Sequence, residues 1–166
     1  MKKVAAIIVN WNDKDALSVC LKSLLEQDYE NLEILVVDNG SDDGSQVLVK
    51  EEFSTVKLIE NGENLGFGSA VNRGLEKAKG DYFIFLNNDL ALNPDCIRHL
   101  VALLESDSSV GAAIPKILYY SEYDKAPSKE PAQINSYGVL ISYTGIAYPN
   151  LIDQPDHLDL PLTESA

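Results

Sequence analysis

Basic residues are scarce in this 166-residue sequence. Thirteen Lys and Arg stand against 26 Asp and Glu, for a formal net charge of −13. Neutralising phosphates takes clustered Lys and Arg, so no nucleic-acid partner is expected. Cysteine is also rare: Cys20 and Cys96 lie far apart, with no C-x-x-C and no Cys/His cluster. That excludes a zinc site or a redox pair and leaves buried or half-buried free thiols in a reducing cytoplasm. No apolar run approaches the ~18 residues that cross a bilayer. The apolar start "MKKVAAIIVNWN" is soon broken by Asn10, Asn12, Asp13 and Lys14 and has no cleavage pattern. It reads as a first buried strand, not a signal peptide. Two nucleotide signatures are missing as well. In "NLGFGSAVNRG" the third glycine of G-x-G-x-x-G would fall at Val71, and the stretch follows the third strand, against a dinucleotide oxidoreductase. No Lys-Ser/Thr follows it, so a P-loop NTPase is excluded. Internal repeats are absent.

What is present is a chain of one-domain length, 45% hydrophobic and 8% aromatic, enough for a core. Apolar β-rich runs at residues 4–9, 32–37, 56–59, 82–86 and 110–114 predict five strands. Between them, Leu17, Leu21 and Leu24 mark one helical face, and Ala70, Val71 and Leu75 another. Ile97, Leu100 and Leu104 mark a third, opened by Asn93 as N-cap with Pro94 at the first helical position. A shorter helix is predicted over 46–53. Strand–helix alternation with short links predicts an α/β fold, a mostly parallel sheet with flanking helices. Residues 1–118 form its core. Residues 119–166, a proline-bearing loop, a hairpin over 134–148 carrying Gly138 and Gly145, and an irregular tail, belong to the same domain.

Sheets of this kind bind ligands outside the carboxyl ends of their strands. Four strand ends here are polar: Asn10-Trp11-Asn12-Asp13, then Asp38 to Ser45, then Asn61 to Gly74, and last Asn87-Asn88-Asp89. Asp38 ends an apolar strand, where its carboxylate either accepts hydrogen bonds from a nucleobase or ribose, or caps the following helix. Ser41 or Asp42 suits that capping role. Gly66 and Gly68 at a helix start suit close approach to a phosphate or sugar, and Asn64 and Asn72 suit amide bridges between loops. Arg73 reads as a solvated helix charge. Asp89 is either part of a plain turn or a ligand of Mg²⁺ or Mn²⁺, which need few carboxylates when a diphosphate supplies other oxygens; Asn87 orients it or holds a metal-bound water.

"IIVNWN", "VVDNGSDDGS", "NLGFGSAVNRG" and "FLNNDL" resemble, in order and spacing, four motifs of the family 2 glycosyltransferases, inverting enzymes with the A-type glycosyltransferase fold. "INSYGVLISYTGIAY" is similar to a hairpin of the rhamnosyltransferase-like members, so the resemblance runs from Met1 to about Ala147. It implies a nucleoside-diphosphate sugar donor, a UDP- or dTDP-sugar, and an acceptor glycan or lipid-linked glycan in cell-surface polysaccharide assembly. It places Val9, Trp11, Asn12, Asp38 and Asn39 at the nucleoside, Asn64 and Gly66 at the nucleotide's border, and Asn87 and Asn88 beside the metal ligand Asp89. Asn87 stands where many members carry Asp, one charge fewer for the metal. The family's catalytic base follows in a Glu-Asp stretch for which there is no counterpart before Ala166. The resemblance therefore implies a donor-binding half, inactive alone, cytoplasmic, and peripheral at the inner membrane face in the full-length enzyme. Two rival readings stand beside it. A sugar nucleotidyltransferase needs a Gly-rich loop with Arg and Lys after the first strand, where "NWNDKDAL" has no glycine. A non-catalytic nucleotide-binding or interaction module would self-associate through a bare sheet edge.

Overall fold

The computed structural model describes residues 1–118 and, as backbone strands, 134–136, 139–141 and 147–149. The chain divides into two compact units, Met1–Glu105 and Ser106–Ala166, so the compositional change at Tyr119 lies inside the second.

In the first unit, strands and helices alternate: β1 (Val4–Asn10), α1 (Lys14–Leu25), β2 (Leu32–Asp38), α2 (Ser45–Glu52), β3 (Lys57–Glu60), α3 (Phe67–Lys77), β4 (Tyr82–Asn87) and α4 (Cys96–Ser106). The four strands pair in parallel in the order β3-β2-β1-β4. All seven residues of β1 are buried, as an inner strand covered on both faces requires. Alternate residues serve two layers. Val4, Ala6 and Ile8 pack with Leu17, Leu21 and Leu24 of α1, Val49 of α2 and Ile97 of α4. Ala5, Ile7 and Val9 pack with Leu35, Val37 and Ala70 on the α3 side. Each fully buried Ile or Leu in these layers contributes about 1.5–3 kcal/mol.

The helix faces follow from the path of the chain. The chain runs outward from β1 to β2 and β3 under α1 and α2, then returns through α3 on the opposite face to reach β4 on the other side of β1. Right-handed crossovers demand that change of face. The sheet's topological switch point therefore lies between β1 and β4. α3 lies close against the sheet because Gly74 has no side chain: a Cβ there would stand 2.5 Å from Ile7 Cγ2 and 3.1 Å from Val37 Cγ2.

The fourth helix begins two residues later than its Asn-Pro signal. Pro94 and Asp95 form a turn closed by Cys96 N–H donating to the Asn93 carbonyl at 3.0 Å, a shift within ordinary boundary variation. The fifth predicted strand is overturned. Residues 110–114 form no strand, and Ile114 is 60% exposed. The Val110 N–H instead closes a turn onto the Asp107 carbonyl at 3.0 Å. Gly111 and Pro115, which has no N–H, frame a segment ill suited to a ladder.

In the second unit, β5 (Ile117–Leu118) pairs antiparallel with β6 (Ile134–Ser136), and β7 (Val139–Ile141) with β8 (Ala147–Pro149). The β7–β8 pair lies in the expected hairpin and extends one residue beyond it, to Pro149. The loop over 119–133 and the tail over 150–166 lie outside the described residues. No helix among the described residues is long and apolar enough to cross a membrane.

Candidate functional site

Parallel pairing aligns the carboxyl ends of β1, β2 and β4: Asn10 stands opposite Asp38, and Val9 opposite Asn87. Glu60, which ends β3, stands opposite Asp38, so all four polar strand ends meet at one sheet edge, with the 61–66 loop beside Asn39.

Asp38 is the centre of the first cluster and is fully buried. Its Oδ1 accepts from the N–H groups of Gly40 (3.2 Å) and Ser41 (2.9 Å) and from Gln46 Nε2 (2.7 Å). Its Oδ2 accepts from the Ser41 hydroxyl (2.6 Å) and Asn10 Nδ2 (2.8 Å). Burial alone would push this carboxyl up; the bonds from Ser41, Asn10 and Gln46 outweigh it and hold the group below its ordinary value. These bonds make it the organiser of its own loop, a third role beside the two read for it from sequence. Ser41 Oγ in turn accepts from the Asn12 N–H at 2.8 Å and from Asn10 Nδ2 at 3.1 Å, locking the loops after β1 and β2 together.

Capping of α2 falls to neither Ser41 nor Asp42. Asp43 Oδ1 accepts from the Ser45 N–H at 3.0 Å and from its hydroxyl at 2.6 Å, while Oδ2 takes the Lys14 N–H at 2.7 Å. The physical reason is position and commitment: Gly44 stands at the N-cap with no side-chain cap bond, and the Ser41 hydroxyl is spent on Asp38.

Asn12 and Asp13 adopt left-handed backbone angles, φ 58° and 62°. Asn and Asp tolerate that region better than other side chains. The bend sends Asp13 to cap α1, accepting from the Ala16 N–H at 3.3 Å, and leaves Trp11 57% exposed. Val9, by contrast, directs its side chain into the layer under α3.

Asn39 is buried and tied to the third loop. Its Oδ1 accepts from Asn61 Nδ2 at 2.8 Å, and its Nδ2 donates to Asn64 Oδ1 and the Gly66 carbonyl, both at 3.4 Å. Asn64 Oδ1 also takes the Gly66 N–H at 2.9 Å, shaping the start of α3. The loops approach so closely that a Cβ on Gly40 (φ +77°) would stand 2.8 Å from the Glu63 nitrogen. Gly66 and Gly68 have open space where a Cβ would stand. Arg73 is exposed and donates to Asn61 Oδ1 at 3.3 Å.

After β4, Asn87 and Asp89 are exposed and Asn88 is half-buried. Asn88 Nδ2 donates to Asn10 Oδ1 at 2.8 Å and to the Asn12 carbonyl at 3.1 Å. No hydrogen bond or ion pair from the described residues engages the Asp89 carboxylate. Below the turn, Cys20 is buried; desolvation first, and then the negative charge of Asp89, push its thiol up to about 12. Both cysteines are free, and Cys20 is a protonated core side chain at neutral pH.

Among the described residues no group of three or more His, Cys, Asp or Glu is gathered to cage a metal. The donor set fits a divalent cation of the Mg²⁺ or Mn²⁺ kind, which takes one or two protein oxygens and completes its shell from water and a phosphorylated ligand. Asp89 and Asn87, both exposed, carry oxygens of that kind. An open groove elsewhere, lined by Leu35, Leu58, Ile59, Lys57 and Lys77, carries no carboxylate and none of these motifs.

Asn10 and Gln46 hold no role in the reading from sequence, and Ser41 enters it only as a helix cap. The signal for Asn10 was its place as the polar end of an apolar run. Aligning the two strands by their last apolar residues sets it beside Asp38.

Comparison with known proteins agrees with this geometry. The family description "Glycosyl transferase family 2" matches residues 5–149. An uncharacterised glycosyltransferase of Rickettsia typhi is 31% identical over 84% of this chain and 46% of its own length. The Escherichia coli UDP-Glc:alpha-D-GlcNAc-diphosphoundecaprenol beta-1,3-glucosyltransferase WfaP is 31% identical over 92% of this chain and 61% of its own. Among solved structures, the mannosyltransferase PcManGT from Pyrobaculum calidifontis, in complex with GDP-Man and Mn²⁺, superposes with a TM-score of 0.60 at 26% identity. That match covers 70% of this chain and 34% of the other. Staphylococcus aureus TarS 1-349 with UDP-GlcNAc gives a TM-score of 0.60 at 22% identity, over 72% and 38%, which speaks for the fold. The chain thus spans less than two thirds of the length of these relatives.

Proposed function

The chain belongs to glycosyl transferase family 2, and on that premise we propose that it binds a nucleoside-diphosphate sugar in the crevice at the ends of β1, β2 and β4. Bound there, the sugar is transferred with inversion. The acceptor hydroxyl oxygen bonds to the anomeric carbon, that carbon's bond to the diphosphate breaks, and the nucleoside diphosphate leaves with the electron pair. The hydroxyl proton passes to a base that we assign to none of the described residues.

The single observation that carries this reading is the difference between two carboxylates at the same end of the sheet. Asp38 has its oxygens committed to the loop, and Asp89 is exposed, with no hydrogen bond or ion pair from the described residues. We assign the nucleoside to the exposed Trp11 and the loops built on Asp38 and Asn39, with Asn64 and Gly66 at its border. A planar aromatic at a crevice rim suits stacking on a base. We assign the divalent cation, Mn²⁺ or Mg²⁺, to Asp89 with help from Asn87. When bound, it neutralises charge on the leaving diphosphate. Asp89 holds and orients, and Asn88 fixes the turn that presents it. A lipid-linked glycan acceptor is supported by the diphosphoundecaprenol named for the Escherichia coli relative, and we propose that the full-length enzyme works at the cytoplasmic face.

Calorimetric titration of UDP, dTDP and GDP, each with and without Mn²⁺, tests the reading. Metal-enhanced binding of at least one is expected. Absence of binding by all three removes the donor role.

A second reading rests on its own observation. Phe83 and Phe85 are 40% and 47% exposed on β4, an edge strand among the described residues. We propose that this edge pairs with a second copy of the chain. Sedimentation equilibrium that finds a monomer at high concentration contradicts it.

A further inference from the structure

Asn10 is the buried group that reaches both sides of the switch point between β1 and β4. It is fully buried, so it touches no ligand. One Nδ2 proton goes to Asp38 Oδ2 (2.8 Å) and the other to Ser41 Oγ (3.1 Å), while Oδ1 accepts from Asn88 Nδ2 (2.8 Å). The protons account for one another. The Ser41 hydroxyl donates to Asp38, so its oxygen is left to accept from Asn10 and from the Asn12 N–H. Asn88 spends its two Nδ2 protons on Asn10 Oδ1 and the Asn12 carbonyl. Only an amide at position 10 can donate two protons, to Asp38 and to Ser41, and still accept from Asn88. The substitution Asn10→Asp would press a second carboxylate on Asp38, and an apolar isostere would leave the donor of Asn88 and the acceptors of Asp38 and Ser41 short of a partner.

We infer that the Asn10–Asn88 amide bridge is a positioning device, setting the separation between the nucleoside-binding 38–41 loop and the 87–89 turn that presents Asp89. The inference rests on the donor-binding role proposed above and goes beyond it. The bridge makes the two ends of one ligand bind as a unit, because a diphosphate reaching from the base pocket to the cation tolerates little change in that distance. A group that orients a metal ligand from behind typically changes metal affinity 10–100-fold when lost.

The test reads the Mn²⁺ enhancement, the ratio of the UDP dissociation constant without Mn²⁺ to that with it. If dTDP or GDP binds more tightly to the wild-type chain, that diphosphate replaces UDP. Asn10→Ala and Asn88→Ala are each expected to lower the ratio about tenfold, with the double variant no lower than the worse single one. If Asn10→Ala does not fold, Asn10→Ser replaces it; its hydroxyl can still donate to Asp38 but falls short of Asn88. A merely structural role shifts the denaturation midpoint and leaves the ratio alone. An unchanged ratio in folded variants, or additive losses in the double variant, overturns the inference and leaves the donor role standing. A wild-type chain with no Mn²⁺ enhancement overturns the metal part of the donor reading and the inference with it.

Discussion

Asp38 and Asp89 stand at the same end of one sheet, yet Asp38 is buried with five hydrogen bonds, while Asp89 is exposed, with none from the described residues. The difference separates building a site from serving it. A buried carboxylate surrounded by donors is stable as an anion and has no lone pair left for a ligand. An exposed carboxylate on a turn contributes little to stability and keeps its oxygens available. Two acids that look alike as sequence are therefore read here as scaffold and ligand.

Removing the scaffold acid should have the largest effect on stability. Asp38→Ala leaves several donors without their acceptor, and a loss of about 3 kcal/mol or more is expected at the rate of 1–3 kcal/mol per unsatisfied buried group. Urea denaturation at neutral pH measures it. Gly74→Val tests the opposite face of the sheet, where the added side chain meets Ile7 and Val37. Overpacking of this kind costs about 1–3 kcal/mol, and the same denaturation reads it.

Acid titration sharpens the comparison. The folded chain holds the Asp38 proton less tightly than the unfolded chain does, so its contribution to stability is whole above the ordinary carboxylate value of about 3.9. It is lost as pH falls through the lower folded value. Asp43, for which burial is outweighed by the bonds from Ser45 and Lys14, acts in the same direction. The stability gap between wild type and Asp38→Asn should therefore stay constant down to about pH 4 and shrink below it. A gap that grows toward acid would reverse the sign. The smallest effect belongs to the periphery. Lys50 pairs with Glu60 in the open, and Lys50→Ala should change stability by less than about 0.5 kcal/mol, with little dependence on salt.

The alternation of apolar strands and helical faces was legible because burial on both faces writes continuous apolar runs. The first four strands and all four helices of the first unit stand where periodicity put them, within two residues at most ends. Residues 110–114 misled for a physical reason: their apolar content says nothing of the N–H that Pro115 lacks or of the side chain that Gly111 cannot pack in a strand. At the site, the converging strand ends were legible from polar clusters after apolar runs. The division of labour within them was not. Whether Asp38 faces a ligand or its own loop depends on where Gly40, Ser41, Gln46 and Asn10 direct their donors. That α2 starts at Gly44 without a side-chain cap, while Asp43 turns onto Ser45, has the same origin, since neighbouring side chains compete for the same few N–H groups. Asn10 was legible as the head of a polar strand end, but its bridging role was not, because its partners appear only when the neighbouring strands are set in register.

The most direct measurement is a paired one on Asp89→Ala: the urea midpoint, and UDP titration with and without Mn²⁺. The account predicts a midpoint within about 0.5 kcal/mol of wild type, the range of surface substitutions, together with loss of the Mn²⁺ enhancement. An Asp89→Ala chain that folds normally and retains the full Mn²⁺ enhancement would contradict it.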